Sequence, residues 1–465
     1  MADVLVIGGG VAGLATALVK AKEGAKVLVL EQGQAAGGCV RSFKLGNNVV
    51  DTALYQVGGL ERGGMLRDAF ESLGLMILPW ERVDNGCVVA VHQGGRTYCL
   101  PQGRKDLIDV LKKEFPKEEH GLDLFAELMD CPDVEWMHTT NAWGYLRTIL
   151  KDRRLLQILS AMVLDMTELR KKSLSLFSFV QILAPRIMGN WKLGCSAEVF
   201  VGALVRQIEA LGGHVFLGKE VVSLQVQDGR VSEAVCRDGS RYGAEWYVSA
   251  IHPRTLETFF DKSDLNSESS ISKVRTMEDS CGMFCLHLSL RSGSLQYFRH
   301  TKVVMKGQTC WDTPIGSDLR VSCITIHARR VAKGSSVAVL SILSPMLWET
   351  VEPYKDSSSK RRPKAYKEMK SKLTEQCLEL AEVALPGLKD MVEESVASTP
   401  LTHYTRLASP HGTAFGLRRD AGKTQTAVLS PDTGLANLIQ TGQNLLLQGL
   451  QGVMVSVAHT LERMT

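Results

Sequence analysis

Near the start of the chain an apolar run breaks into glycines and then turns helix-like: Val4-Leu5-Val6-Ile7-Gly8-Gly9-Gly10-Val11-Ala12-Gly13. A G-x-G-x-x-G pattern directly after a strand fits few structures. Gly8 permits a tight turn, Gly10 lets the backbone approach a pyrophosphate, and Gly13 lets the next helix lie close on the sheet. Phosphates would then rest on the helix's positive end, where Val11 and Ala12 open the first turn.

The surroundings give this fingerprint its weight. Residues 14–22 are rich in Ala and Leu, Gly24 punctuates, and a second apolar run, Lys26-Val27-Leu28-Val29-Leu30, ends at Glu31 and Gln32. Strand, turn, helix, strand and acid follow in the order of a Rossmann-like unit, with the acid about twenty residues beyond the glycines. A carboxylate there bonds both hydroxyls of an adenosine ribose and disfavours a ribose phosphate. FAD or NAD therefore fits better than NADP.

The next segment, Gly37-Gly38-Cys39-Val40-Arg41-Ser42-Phe43, resembles the GGxxxS signature of the amine oxidase and phytoene desaturase superfamily of flavoproteins, and the resemblance implies FAD, held in part by Gly37, Gly38 and Ser42. Amine oxidases usually carry Arg after the paired glycines. Here Cys39 fills that place and the charge comes at Arg41.

Three further passages resemble the retinol saturase, carotenoid isomerase and phytoene desaturase-like branch. The segment 50–60, Val-Asp-Thr-Ala-Leu-Tyr-Gln-Val-Gly-Gly-Leu, is similar to FDTGxHYxGGL beside the flavin, with Tyr55 and Gln56 where His and Tyr are common. Residues 247–253 resemble the strand and turn that close the cofactor domain's second visit. Residues 437–453 resemble the carboxyl-terminal flavin motif, in which Thr441-Gly442-Gln443 ends a strand and a helix starts near the ring. By this resemblance, amides near Gly452, Val453 and Met454 face the pyrimidine edge, where charge gathers on reduction. Gln448 stands where the branch commonly has His, and an amide is neither acid nor base.

The resemblance implies an α/β chain: a discontinuous Rossmann-like FAD-binding domain of residues 1–75, 189–253 and 399–465, and an α+β substrate domain of residues 76–188 and 254–398. Adenine would be held by backbone near Val221. Periodicity predicts a mostly helical insert over 76–188, with amphipathic stretches at 107–115 and 142–164. It also predicts a helix over 197–211, strands at 214–217, 220–227 and 230–236 with Asp228-Gly229 as a hairpin turn, strands at 282–290, 321–327 and 336–343, and a helix over 365–383.

Composition agrees. The 465 residues, 45% of them hydrophobic, suffice for two or three lobes. A net charge of +4 without a basic, aromatic-interleaved stripe gives no case for nucleic acid. The 11 cysteines form no CxxC pair and no compact Cys/His set, so no metal site is expected and free thiols in a reducing cytoplasm are. No signal peptide precedes the first strand. The apolar stretch 173–184 meets Pro185 and Arg186 too soon to cross a membrane. It is expected to be core or the wall of an apolar tunnel, with a lipid-dipping surface as the alternative, and the basic loop 355–364 offers a second route to peripheral membrane contact.

No GxSxG, HExxH or P-loop supports hydrolysis or phosphoryl transfer, and redox chemistry would belong to the cofactor. The leading expectation is an FAD-dependent oxidoreductase that saturates, desaturates or isomerises a small apolar polyene, a retinoid or carotenoid. A flavin amine oxidase and a catalytically silent flavin-binding protein are the alternatives. No catalytic side chain is assigned, and without a second nucleotide fingerprint the electron donor or acceptor stays open.

Overall fold

The computed structural model describes residues 2–83, 86–130, 135–261, 269–331, 334–358, 360–422 and 428–464. Met1, Thr465 and Ser359 of the basic loop lie outside the described residues. A five-stranded, all-parallel sheet collects three distant parts of the chain, in the order His214–Leu217, Val27–Glu31, Ala2–Ile7, Ala244–Ser249 and Leu438–Gln440. Strands covered on both faces read as continuous apolar runs. Here Val4, Val6, Val27 and Val29 pack under the helices Val11–Lys22, Ala197–Ala210 and Gly449–Glu462, while Leu5, Ile7 and Tyr247 pack on the other side. That other layer is a small antiparallel sheet of Val221–Gln227, Arg230–Cys236 and Arg241–Tyr242. Its first turn has Asp228 and Gly229 both at positive φ, 51° and 71°, the mirror-image turn that the Asp-Gly pair suits.

A second, seven-stranded sheet runs in the order Val392–Ser398, Gly282–Leu290, Val337–Met346, Cys323–Arg330, Thr301–Met305, Val89–Gln93 and Arg96–Leu100. Alternation splits its side chains by face. Phe284, Leu286, Leu288, Leu340 and Ile342 pack under the long helix Lys364–Ala384. Met283, Cys285 and Leu343 point the other way and meet Tyr55 and Phe415.

Three expectations are corrected. The region 76–188 is not mostly helical throughout, because Val89–Gln93 and Arg96–Leu100 form a hairpin that completes the second sheet. Gly94 and Gly95, at φ 58° and 76°, make its turn, a signal present in the sequence. The stretch 142–164 is two helices, Ala142–Ile149 and Arg153–Ala161, because the Asp152 carboxylate accepts from the Arg154 and Leu155 amides and starts a new helix. Pro185 lies inside the helix Leu176–Met188 rather than stopping it.

That helix settles the lipid alternative for 173–184. Leu176, Phe177, Phe179, Val180, Ile182 and Leu183 are all buried in one helical core. Among the described residues no helix is long and apolar enough to cross a membrane. The described cysteines are all free thiols.

Candidate functional site

The first strand ends in a turn whose geometry explains each glycine. Gly8 has φ 101°, and a Cβ on Gly13 would stand 2.1 Å from the Gly8 carbonyl oxygen, so only glycine lets the helix touch the turn. Gly10 differs. A Cβ there would meet nothing closer than Gly38 Cα at 4.0 Å, which leaves open space beside the helix start. The helix Val11–Lys22 has no side-chain cap and no acid in its first turn, so the opening amides and their partial positive charge are unneutralised by the chain itself.

Glu31 is buried at the end of the second strand. Its carboxylate accepts from the Gly9 amide at 2.8 Å and the Gly33 amide at 2.7 Å, with Arg41 3.7 Å away. Gln32 beside it is exposed. The Gly37 amide donates to the Gly9 carbonyl at 2.7 Å, which lays Gly37-Gly38 across the turn. The Lys219 amide donates to the Glu31 carbonyl at 2.8 Å, which brings the chain leading to Val221 past the same corner. Ser42 is occupied otherwise: its hydroxyl donates to Asp51 and accepts from the Glu198 amide, pinning a helix start.

The carboxyl-terminal motif meets the first helix. Gly442, at φ 113°, donates its amide to Ser456 Oγ at 2.7 Å, and a Cβ on Gly442 would lie 3.7 Å from Ala12 Cβ. Gln443 follows, its carbonyl accepting from the buried Arg419 at 3.2 Å. The final helix begins at Gly449 with no side-chain cap. Its free amides are therefore those of the turn from Gly449, while Val453 and Met454 stand after it, where helix geometry pairs the amides. Gly452 must be glycine, since a Cβ would fall 2.0 Å from the Leu447 carbonyl oxygen.

Gln448 sits at the mouth of this helix and donates to Thr167 Oγ1 at 2.9 Å. Both line a small crevice of about 20 Å³ with Ser280, Phe415, Arg418 and Arg419. Burial pulls Arg419 down to about 10. Phe415 also belongs to the apolar cluster around Tyr55, so the crevice and the inner face of the second sheet adjoin.

Behind Tyr55 lies a feature the sequence did not announce. His287, Ser341 and His327 stand opposite one another on adjacent strands, a polar row crossing apolar ones. The His287 ring lies 2.9 Å from Ser341 Oγ, and burial holds it down to about 4. Tyr55 stacks on His327 with ring centroids 4.6 Å apart, and burial pushes its phenol well above the usual range, so it stays protonated. Asp165 bonds Arg186 at 2.6 Å and lies 3.1 Å from His327 Nε2. Arg186 also donates to Thr301 Oγ1 at 3.1 Å and to Gln56 Oε1 at 3.3 Å. Burial alone would raise the Asp165 carboxyl; Arg186 and His327 outweigh it and hold it far below the carboxylate range. A neutral His327 with its proton on Nε2 can accept from Thr301 at Nδ1 while turning that proton's side of the ring toward Asp165. Burial favours that neutral form.

The comparisons with known proteins fit this geometry. Residues 6–73 match the NAD(P)-binding Rossmann-like domain. Over 97% of its length the chain is 24% identical to all-trans-retinol 13,14-reductase of Danio rerio, covering 84% of that protein. It is 21% identical over 97% to prolycopene isomerase 1 of an Oncidium hybrid cultivar, covering 82% of it. The chain is a homologue of these two enzymes. An oxidoreductase from Methanosarcina mazei has the same fold, with TM-score 0.70 and 16% identity over 99% of this chain and all of that one. A signal for the buried charges existed in retrospect: Arg186, Lys192 and Asp165 are isolated charges with apolar neighbours in sequence.

Lys192 gives a pH test of this region. Its ammonium is buried, donates to the Ala328 carbonyl at 2.6 Å and lies 5.5 Å from the Tyr297 ring. Burial pulls it down to about 7, against a smaller upward pull from Glu81. From there to the ordinary lysine range the unfolded chain holds a proton that the folded chain has released, so this group's contribution to stability rises with pH. Lys192→Met is expected to flatten that rise. Urea midpoints of both proteins at neutral pH and at about pH 10 measure the difference; equal slopes would contradict it.

Proposed function

We propose that the chain is an FAD-dependent oxidoreductase that saturates, desaturates or isomerises an apolar retinoid- or carotenoid-like polyene. The observation that carries this reading is the homology to all-trans-retinol 13,14-reductase along 97% of the chain. The uncapped first helix touches Gly442 through Ala12, and the final helix also starts uncapped at Gly449, which supports a long dinucleotide spanning both.

In this reading Gly8, Gly10, Val11, Ala12 and Gly13 receive the pyrophosphate on open amides, and Gly37 and Gly38 keep the backbone low enough for it to pass. Glu31, beside Gln32, takes the ribose hydroxyls, and Val221 offers backbone to adenine. Gly442 and Gln443 border the ring. Gly452 lets the final helix turn toward it, and the amides from Gly449 complement charge at the pyrimidine edge; Val453 and Met454 contribute packing. Ser42 acts through the helix start it pins. The parallel sheet and its neighbours, residues 1–75, 189–253 and 399–465, form the cofactor domain, and 76–188 with 254–398 the substrate domain.

The flavin, when bound, supplies two-electron chemistry. The chain's own residues position an apolar substrate against the Met283, Cys285, Leu343 and Phe415 surface and exclude water from it. Gln448 orients by hydrogen bonding and transfers no proton.

Glu31→Ala removes two amide bonds and the ribose carboxylate, and is expected to weaken FAD retention by about 1.5–3 kcal/mol. Flavin content after dialysis reads this out. Chromatography of the cofactor released on denaturation checks its identity: FAD is expected, and NAD or nothing would overturn the cofactor assignment. Unchanged flavin content in Glu31→Ala would remove the ribose role alone.

A further inference from the structure

On the far side of the second sheet, an open groove of about 460 Å³ runs between the first half of the long helix Lys364–Ala384 and the edge strand Val392–Ser398. Its lining carries Lys360, Arg362, Lys367 and Lys370, together with the hydroxyls of Ser371 and Ser395, and no carboxylate. The spacing follows from the helix: Lys367, Lys370, Ser371 and Thr374 recur every three or four residues and share one face.

Arg362 and Lys370 are held against the protein, while Lys360 and Lys367 are exposed. Arg362 is anchored by bonds from Nη1 to the Tyr354 carbonyl at 3.1 Å and the Ser357 carbonyl at 2.6 Å. The Tyr366 ring lies between two charges, with Arg362 Cζ 5.6 Å and Lys370 Nζ 5.9 Å from its centroid, and its hydroxyl is tied to Thr399 at 2.9 Å. Among the described residues, Lys360, Lys367 and Lys370 form no ion pair, although Lys364 and Lys355 nearby do. Lys370 is half-buried, and burial and then the Arg362 charge pull it below the ordinary lysine range. Like charges pressed together with no counter-charge cost stability unless an anion joins them.

We propose that this groove binds a phosphate-bearing anion, either a soluble phosphoanhydride or the headgroup of an anionic lipid. Lysine and arginine supply charge-assisted bonds to phosphoryl oxygens, and the serine hydroxyls complete the donor set. The site is remote in sequence from the dinucleotide turn and stands or falls without it.

The test is calorimetric titration of the full chain with inorganic pyrophosphate at low ionic strength, beside co-sedimentation with phosphatidylcholine vesicles with and without phosphatidic acid. Lys367→Gln with Lys370→Gln is expected to weaken binding roughly tenfold or more. Lys105→Gln, an exposed lysine on another helix, should change nothing. The double variant's thermal midpoint should hold or rise, since a repulsion is relieved, which separates lost binding from lost folding.

Pyrophosphate binding that depends on these lysines supports a soluble ligand, and lysine-dependent sedimentation only with phosphatidic acid supports a lipid source. Competition between the two supports one site serving both. Absence of both, or binding that persists unchanged in the double variant, as it would if the probe lodged at the Gly10 turn, overturns the proposal.

Discussion

Gly10→Val is expected to abolish cofactor retention and leave the fold standing, while Gly13→Ala, a smaller change, is expected to damage the fold itself. The difference comes from what each new side chain meets. Gly10 has φ −72° and ψ 174°, backbone that valine adopts without strain, and its Cβ would enter open space. That space is the one the proposed pyrophosphate needs. A Cβ on Gly13 would be 2.1 Å from the Gly8 carbonyl oxygen and 3.0 Å from Ala250 Cβ. Backbone oxygen cannot rotate aside as a side chain can, so the helix must lift from the sheet, at about 1–3 kcal/mol or more. Thermal unfolding and bound-flavin absorbance on the same samples separate the effects. A Gly10→Val protein that keeps its flavin would remove the pyrophosphate from this turn, and a fully stable Gly13→Ala protein would contradict the helix contact.

The second large effect is expected at Asp165. Asp165→Leu leaves the Arg186 guanidinium, 3% exposed, without its anionic partner, a loss of about 3–5 kcal/mol. Removing both charges, Asp165→Leu with Arg186→Met, should recover much of it, because an apolar pair needs no counter-charge. The sign with pH follows from the depressed carboxyl. The pair's contribution is fully present above the unfolded carboxylate range and is lost only as pH falls through the low folded value. The single variant should therefore lose the acid limb of the stability profile as well as its plateau. Denaturant midpoints across acidic pH read this, and an Asp165→Leu protein as stable as the parent would mean that the ion pair contributes no net stability.

The parts of this molecule governed by local rules were legible in the sequence. The glycine turn, the Ala- and Leu-rich helix, the acid at the second strand end and the Asp228-Gly229 hairpin all follow from short-range sterics and period-two burial, and their elements lie within a residue or two of expectation. The Gly94-Gly95 hairpin carried an equally local signal, ahead of the helical periodicity that dominates the residues after it. The polar row is different in kind. His287, Ser341 and His327 are each a single polar residue in an apolar strand, and only strand register places them side by side. Arg186 and Asp165 are 21 residues apart and meet through the packing of a helix on a loop. Such pairings depend on tertiary contacts that no window of sequence contains, which is why the electrostatics around Tyr55 emerged only from the structure.

One measurement bears on whether this framework moves electrons to or from a polyene. The purified protein is photoreduced under anaerobic conditions and mixed with a panel of retinoids and carotenoids, while the flavin and polyene absorbances are followed together, and the panel is repeated with the oxidised protein. The expected result is a change coupled to a polyene: return of the oxidised flavin band for saturation, its bleaching for desaturation, or a shift of the polyene spectrum with the flavin unchanged for isomerisation. A flavin and a polyene that both stay as they were, across the panel and in both oxidation states, would contradict the proposed function.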